Sequence, residues 1–504
     1  MTQQKNTFDP VISENTTLAR TAKQSGIFVL IGKCIRYTFV FIVQMLLMNI
    51  LVPADFGLLR FVTVVIGIIN LLNEFGLSFA IVQKKSLGDN ELASAFSLNA
   101  LLGLLLYVVT FFAAPYCASY FGNAEITNLI RVGGLASLFG AFSIVHRSLL
   151  QRRLEYGRLA LIEIIAAFAG SSTALAMALS GCGVWSLLGS MLVYNILSSI
   201  ILLFTVPWPH GNYTQLKPAK ALGLFGAGVV IQRIAEYAAS NFDFIVVGKA
   251  FGDKILGVYS IAFTIITLPQ IALGVVIGNV LMSMVSRIQN DDKQLGDVFL
   301  KLNLFTSIIS VPFFVIVFSF AGEMMHTVSF INHGDKWLPA AGLLKILSLL
   351  GLLFAFSSYP GTIWLAKGKV RLRIFWAVMM AVSVVIAVLA GLPHGITGIC
   401  FALVIRGVIF FPIILWVTYR VIGLKPLRYI KTLLPSIICG SIMLAGIAPL
   451  SRYVPGTSFL RDMWVFLGGS SAGLLLYVLV FKLLFKKSFA AVWDSVKMRG
   501  IKLW

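Results

Sequence analysis

Lys33 and Arg36 lie one helical turn apart inside an apolar run that begins at Ile27. A guanidinium can grip a phosphate through two parallel N–H donors, and an ammonium adds a compact point charge. The pair is therefore suited to hold an anionic group. Tyr37, Val40 and Gln44 continue the same side at helical spacing. Two hundred residues later, Arg233, Glu236, Tyr237 and Ser240 form a similar stripe, with Asn241 and Asp243 beyond it. A charge near the centre of a bilayer costs roughly 2.5–3.5 kcal/mol even on the lenient insertion scale, so such residues usually face a water-filled cavity. The competing reading for the cations is snorkelling to an interface about two to three turns away. For Glu236 it is a local ion pair with Arg233 at i,i+3.

The remaining intramembrane candidates extend this set. The predicted cavity cations are Lys33, Arg36, Arg233, Lys345 and Arg406; the polar lining is Tyr37, Gln44, Tyr237 and Asn241. Lys345 and Arg406 read equally well as partners of neighbouring helices. Glu74, Glu236 and Asp243 are the candidates for proton or sodium coupling, since a carboxylate at membrane depth is a natural ion site. Glu163 follows the basic group around Arg158 and is expected to pair with it. Arg60 and Arg131 fall near outer span ends and are expected to snorkel. His326 and His333 are assigned to an outer loop; without companion ligands at zinc spacing they predict no metal site. The five cysteines are scattered and read as free thiols. No cofactor is expected beyond the coupling ion.

These residues need elements that cross a membrane. The chain has 504 residues, of which 59% are hydrophobic and only 12% charged, about half the charge of an ordinary soluble domain. The mean hydropathy is +0.93. The expected fold is all-α and polytopic, because a β-barrel would show short alternating segments. Apolar runs predict about fourteen spans: 26–50, 57–82, 93–115, 129–150, 158–180, 184–206, 222–247, 256–284, 299–320, 339–364, 372–392, 396–419, 430–449 and 463–485. Residues 1–25 are polar and show no removable signal peptide. The net charge of +21 does not mark a nucleic-acid binder, because Lys and Arg concentrate in alternate short loops. That bias places both termini in the cytoplasm.

Six spans precede segment 207–221 and six follow it to residue 420, so the second half enters the membrane in the same orientation as the first. The expected repeat is thus parallel, with its pseudo-twofold along the membrane normal. At constant offset Gly26 matches Gly226, Lys33 matches Arg233, Arg36 matches Glu236, Tyr37 matches Tyr237 and Gly57 matches Gly257. The expected organisation is a cytoplasmic tail 1–25, an N-lobe 26–206, a linker 207–221, a C-lobe 222–420, two further spans in 421–485 and a basic cytoplasmic tail 486–504. The lobes are expected to flank a central cavity.

Several motifs resemble one transporter family. Asp55-Phe-Gly-Leu-Leu59, Glu74-Phe-Gly-Leu-Ser-Phe-Ala-Ile-Val-Gln-Lys-Lys85, Leu149-Leu-Gln-Arg-Arg-Leu-Glu-Tyr156, Gly183-Val-Trp-Ser-Leu187, Asn241-Phe-Asp243, Ser286-Arg-Ile-Gln-Asn-Asp-Asp292 and Gly334-Asp-Lys-Trp337 are similar, in order and spacing, to Wzx-type polysaccharide flippases of the colanic-acid-exporter-like branch. The resemblance covers about residues 20–420. It implies a non-enzymatic carrier in the bacterial inner membrane that flips an undecaprenyl-diphosphate-linked oligosaccharide to the periplasmic leaflet. It also implies membrane lipids, a polysaccharide polymerase and a chain-length regulator as partners, and no nucleic acid. The alternatives are a cation-coupled drug antiporter of the same superfamily, which would favour acidic over basic cavity residues, and a membrane glycosyltransferase or polymerase. The latter class usually carries catalytic carboxylates or basic motifs in a large outer loop, and segment 321–338 holds Glu323 and Asp335 as its only carboxylates.

Overall fold

The computed structural model describes the backbone of residues 15–74, 78, 81–82, 84, 87–206, 208, 211–212, 217–329, 335–450 and 458–486. Side chains are described within these except at 15–31, 34, 217–231, 275–284 and 286–287. The expected tail 1–14, motif residues 75–77, linker residues 207, 209–210 and 213–216, His333, and tail 487–504 lie outside the described residues, as does the side chain of Cys34.

The described chain is helical throughout. In the first part α1 spans Asn15–Ile50, α2 Pro53–Glu74, α3 Asp89–Phe121, α4 Glu125–Arg152, α5 Tyr156–Leu179 and α6 Val184–Thr205. Helix α7 spans Lys217–Arg287 and is broken at Gly252, whose φ of 81° and ψ of 178° are open only to glycine at ordinary cost. There follow α8 (Asp292–Ser319), α9 (Ala321–Val328), α10 (Pro339–Phe356), α11 (Pro360–Ala366), α12 (Val370–Gly391), α13 (Gly395–Ile422), α14 (Pro426–Ile447) and α15 (Phe459–Leu484).

Eleven stretches among the described residues are long and apolar enough to cross a membrane. One crossing needs about 20 residues. The stretches Gln232–Gly274 and Val370–Ile422 hold 43 and 53 residues, enough for two crossings each, and are broken at Gly252 and at the 3-10 turn Leu392–His394. Eleven stretches therefore do not mean eleven crossings. The helix ends follow local chemistry. Pro339, Pro360 and Pro426 sit in the first turn of α10, α11 and α14, where a missing N–H costs nothing. Asp291 caps α8 by accepting from the Gln294 amide at 2.9 Å, and Ser458 caps α15 in the same way.

The chain divides into two compact units, Met1–Gly257 and Val258–Trp504. The division falls inside α7, downstream of the segment 207–221 expected as the linker. In the first unit α3 pairs with α4, α5 with α6, and α1 lies on α5, while α2 packs on α4. Stacked Phe39 and Phe168, 3.8 Å apart, mark the α1–α5 seam. In the second unit α8 packs on α14 and α10, α12 pairs with α13, and α15 lies on α14 and α9. Its core gathers Phe299, Trp364 and Tyr429. Segment 321–338, expected as a loop, contains helix α9; its apolar Met324, Met325 and Val328 are buried, which gives the short helix a packed face.

Within the first unit, α2 and the start of the second limb of α7 cross at two glycines. A Cβ on Gly57 would stand 1.9 Å from the Asp253 carbonyl oxygen, and a Cβ on Gly257 would stand 1.7 Å from the Pro53 carbonyl oxygen. The two contacts are reciprocal, at an offset of 200 residues. Both neighbours are backbone, so neither can move aside. Gly57→Val or Gly257→Val is expected to lower stability by about 3 kcal/mol, the upper range for overpacking. Thermal unfolding of the purified protein checks this, with Gly274→Ala as the control: no atom lies within 4 Å of that Cβ, and its melting temperature should hold or rise.

Candidate functional site

Two charged clusters form in the first unit. The first joins four helices. Arg36 on α1 donates from Nη1 to Glu163 Oε2 on α5 at 3.0 Å, and Arg147 on α4 donates from Nη1 to Glu163 Oε1 at 2.9 Å. One carboxylate is thus shared by two guanidiniums, one on each oxygen. The side chains of Arg36 and Glu163 are 16% exposed and that of Arg147 is 32% exposed. Arg36 also lies over the Tyr37 ring at 4.7 Å, and the Tyr194 hydroxyl on α6 bonds Arg147. Lys33, half-buried one turn before Arg36, makes no ion pair among the described residues. The group sets two guanidiniums against one carboxylate, with the Lys33 ammonium one turn from Arg36 on α1. Its five charged or phenolic members besides Lys33 come from four helices, so packing of α1, α4, α5 and α6 fixes its geometry.

The second cluster lies between α2 and the first limb of α7. Asn70, Leu71, Glu74, Arg233, Glu236, Tyr237 and Ser240 line an open cleft of about 360 Å³. Arg233 pairs with Glu74. Both are more than 40% exposed, so the bond is worth roughly 0–1 kcal/mol and can open readily. Glu236 accepts from Gln232 Nε2 at 2.9 Å. The Tyr237 hydroxyl donates to the Val64 carbonyl at 2.7 Å, above Gly67, which has no side chain to block it. Asn241 Oδ1 accepts from Arg60 Nη2 at 3.2 Å, and the Arg60 guanidinium lies 3.6 Å from the centre of the Phe244 ring. Asp243 is buried, at 3% exposure.

Several sequence expectations change. Glu163 does not pair with Arg158; five residues along a helix turn the side chain by about 140°, and Arg158 instead meets Glu155 at 2.8 Å. Arg233 pairs across to α2 rather than with Glu236. Arg60 stacks and hydrogen-bonds inside the unit rather than reaching outward. Arg131 donates to the Phe111 carbonyl at 3.2 Å. His326 lies on α9 and meets Asp462 at 2.6 Å. Gln44 is half-buried on α1 and Tyr37 is 39% exposed. Lys345 and Arg406 belong to the second unit: Lys345 is exposed on α10, and Arg406 donates to Ser383 Oγ on α12 at 2.8 Å. That bond gives Arg406 the interhelical role. Arg147 was absent from the predicted set; its only signal was a charge inside an apolar run, next to the basic link it leads into.

Membrane-length helices broken at glycine, carrying ion-paired charges between them, make this a multi-pass integral membrane protein. Its fold is that of a known transporter class: the chain superposes on the Lipid II flippase MurJ in its inward closed conformation with a TM-score of 0.73, at 17% identity, over 90% of this chain and 98% of that one. The chain belongs to the polysaccharide biosynthesis protein family, whose sequence profile matches residues 46–342, more than half its length. It is 26% identical to the lipopolysaccharide biosynthesis protein WzxC of Escherichia coli K12 over 362 residues, covering 69% of this chain and 71% of the relative. It is 23% identical to the teichuronic acid biosynthesis protein TuaB of Bacillus subtilis over 381 residues, covering 73% and 76%. The resemblance to Wzx-type flippases read from the motifs is borne out.

Removing Glu163 leaves two guanidiniums facing each other. Glu163→Ala is expected to cost about 2 kcal/mol, below the full buried-pair value because the site is partly exposed. Arg147→Ala in the same chain should recover part of that loss. A double-mutant cycle on melting temperatures checks it, and additive effects would show that the two do not interact.

Proposed function

We propose that this chain flips an undecaprenyl-diphosphate-linked oligosaccharide from the cytoplasmic to the periplasmic leaflet of the bacterial inner membrane by alternating access. The observation that carries the proposal is the cationic surplus around Glu163. Arg36 and Arg147 commit one Nη1 each to that carboxylate, and each fork has five N–H donors in all. Lys33 adds a third positive charge. A diphosphate is a dense anion that such forks can hold from two sides. The family supports the polysaccharide assignment, and the fold shared with a lipid flippase supports a lipid-linked cargo.

On this reading Glu163 is the resting counterion, and the diphosphate displaces it. The charge pattern supports this over a drug–cation antiporter, which needs an acidic site. The chain acts as a carrier and not as an enzyme. The openable Glu74–Arg233 pair, with Glu236 and Asp243, is the proposed place for proton or sodium coupling. Both termini lie in the cytoplasm, as the loop charges suggest, and a polymerase and chain-length regulator act on the exported unit.

Arg36→Ala and Arg147→Ala are expected to cut export at least about tenfold, the effect of losing one charge-assisted contact worth roughly 1.5–3 kcal/mol. Protein level should be unchanged, and the lipid-linked oligosaccharide should accumulate inside. Export in a deletion strain carrying each variant, with the accumulated lipid identified by mass spectrometry, tests this. Wild-type export from both variants at normal protein level would sink the cation assignment.

A further inference from the structure

The second unit carries a cleft of about 550 Å³ where three membrane-length stretches begin or end, at Asp292, Ile422 and Pro426. Such a position is the headgroup level of a bilayer. The cleft has two chemistries. Its floor is Ile422 and Leu424, both buried. Its rim is Lys293, Lys425, Arg428 and Lys431, all exposed.

The carboxylates at this rim are already matched. Asp292 pairs with Lys367, and Asp297 accepts from Arg428 at 2.8 Å. Lys293, Lys425 and Lys431 have no ion-pair partner among the described residues, so the cleft keeps an excess of three positive charges. Repulsion among them is relieved by an anion. The usual excess of lysine in cytoplasmic loops explains cations at span ends. It does not explain their arrangement around an apolar floor and beside an exposed apolar stripe on the adjoining helix. Leu427, on the rim and 62% exposed, starts a stripe with Ile430, Leu434 and Ile437, which are 57%, 44% and 44% exposed. The spacing puts them on one side of α14. A small free anion would use the lysines and ignore this track.

We propose that the cleft binds the phosphate headgroup of an anionic glycerophospholipid, with an acyl chain laid along the exposed stripe of α14. The ligand is a resident lipid that anchors α14 beside α8 and α13, and the site is separate from the cluster around Glu163. The proposal does not depend on the transported cargo.

The test is native mass spectrometry of the full-length protein in detergent, titrated with phosphatidylglycerol or phosphatidylcholine. The wild type should retain phosphatidylglycerol preferentially. Each of Lys293→Gln, Lys425→Gln and Lys431→Gln should weaken retention about fivefold, since a basic residue near an anionic headgroup is worth about 1 kcal/mol. The combined variant should weaken it far more, and Lys425→Arg with Lys431→Arg should keep it. Leu427→Ser with Ile430→Ser should weaken lipid retention without changing the preference for the anionic headgroup. Equal retention of the two lipids overturns the proposal, as does an unchanged affinity in the single variants, which keep the test open should the combined variant fail to fold. Displacement of the lipid by millimolar inorganic phosphate, with no effect of the stripe substitutions, would make this a free-anion site and overturn the lipid assignment.

Discussion

The reciprocal contact of Gly57 and Gly257 is the constraint on which the first unit depends. Each glycine lies against a carbonyl oxygen of the opposite helix, Asp253 and Pro53, at a distance that leaves no room for a Cβ. In a bilayer the apolar effect does not push helices together, so close backbone approach supplies the packing. Once α2 and the α7 break are locked here, the rest of the first limb is placed. Gly248 abuts the Phe61 ring, Arg60 reaches Asn241, and the Tyr237 hydroxyl reaches the Val64 carbonyl. The cleft holding Glu74 and Arg233 is one more turn along the same seam. The reciprocal contact thus sets the seam, and the unlike side chains beyond it, Glu74 on α2 and Arg233 on α7, form the site.

The two clusters differ in how firmly they are held. Glu163 is enclosed by helices α1, α4 and α5 and takes a guanidinium on each oxygen. Glu74 and Arg233 meet in a largely open cleft. Solvent screens the second pair far more than the first. A carrier needs one charged group that stays set while the cavity is empty and another that can separate at low cost. The enclosed cluster has the properties of the former and the exposed pair those of the latter.

Much of the fold was legible, because span-length apolar runs are local signals. Gly57 and Gly257 match in the sequence at an offset of 200, and the structure places each against a carbonyl of the other's helix. Ion-pair partners were not legible. From sequence, Arg233 has Glu236 three residues away and Glu163 has Arg158 five residues away; the structure gives them Glu74 and the pair Arg36–Arg147 instead. Such choices depend on which helices pack together, which no single-helix spacing records. Arg147 was missed for the same reason: it gains meaning only when α4 brings it to Glu163. Helix α9 was missed because eight residues carry too short a period to stand out from a loop.

Glu163 also limits how the proposed cargo can bind. Two half-buried guanidiniums facing each other would be costly without a counterion, so an empty carrier needs this carboxylate. A diphosphate that takes the guanidiniums must then leave Glu163 without its partners. The carboxylate has to find water, find Lys33 or take a proton, since an unpaired charge in a half-buried site is expensive. Binding energy is therefore the difference between two ion pairings and not the sum of new ones. That difference is small by construction, and a smaller net affinity favours release on the far side of the membrane. A cluster without Glu163 would hold the diphosphate more tightly and let it go more slowly, so the shared carboxylate suits a carrier better than a permanent receptor.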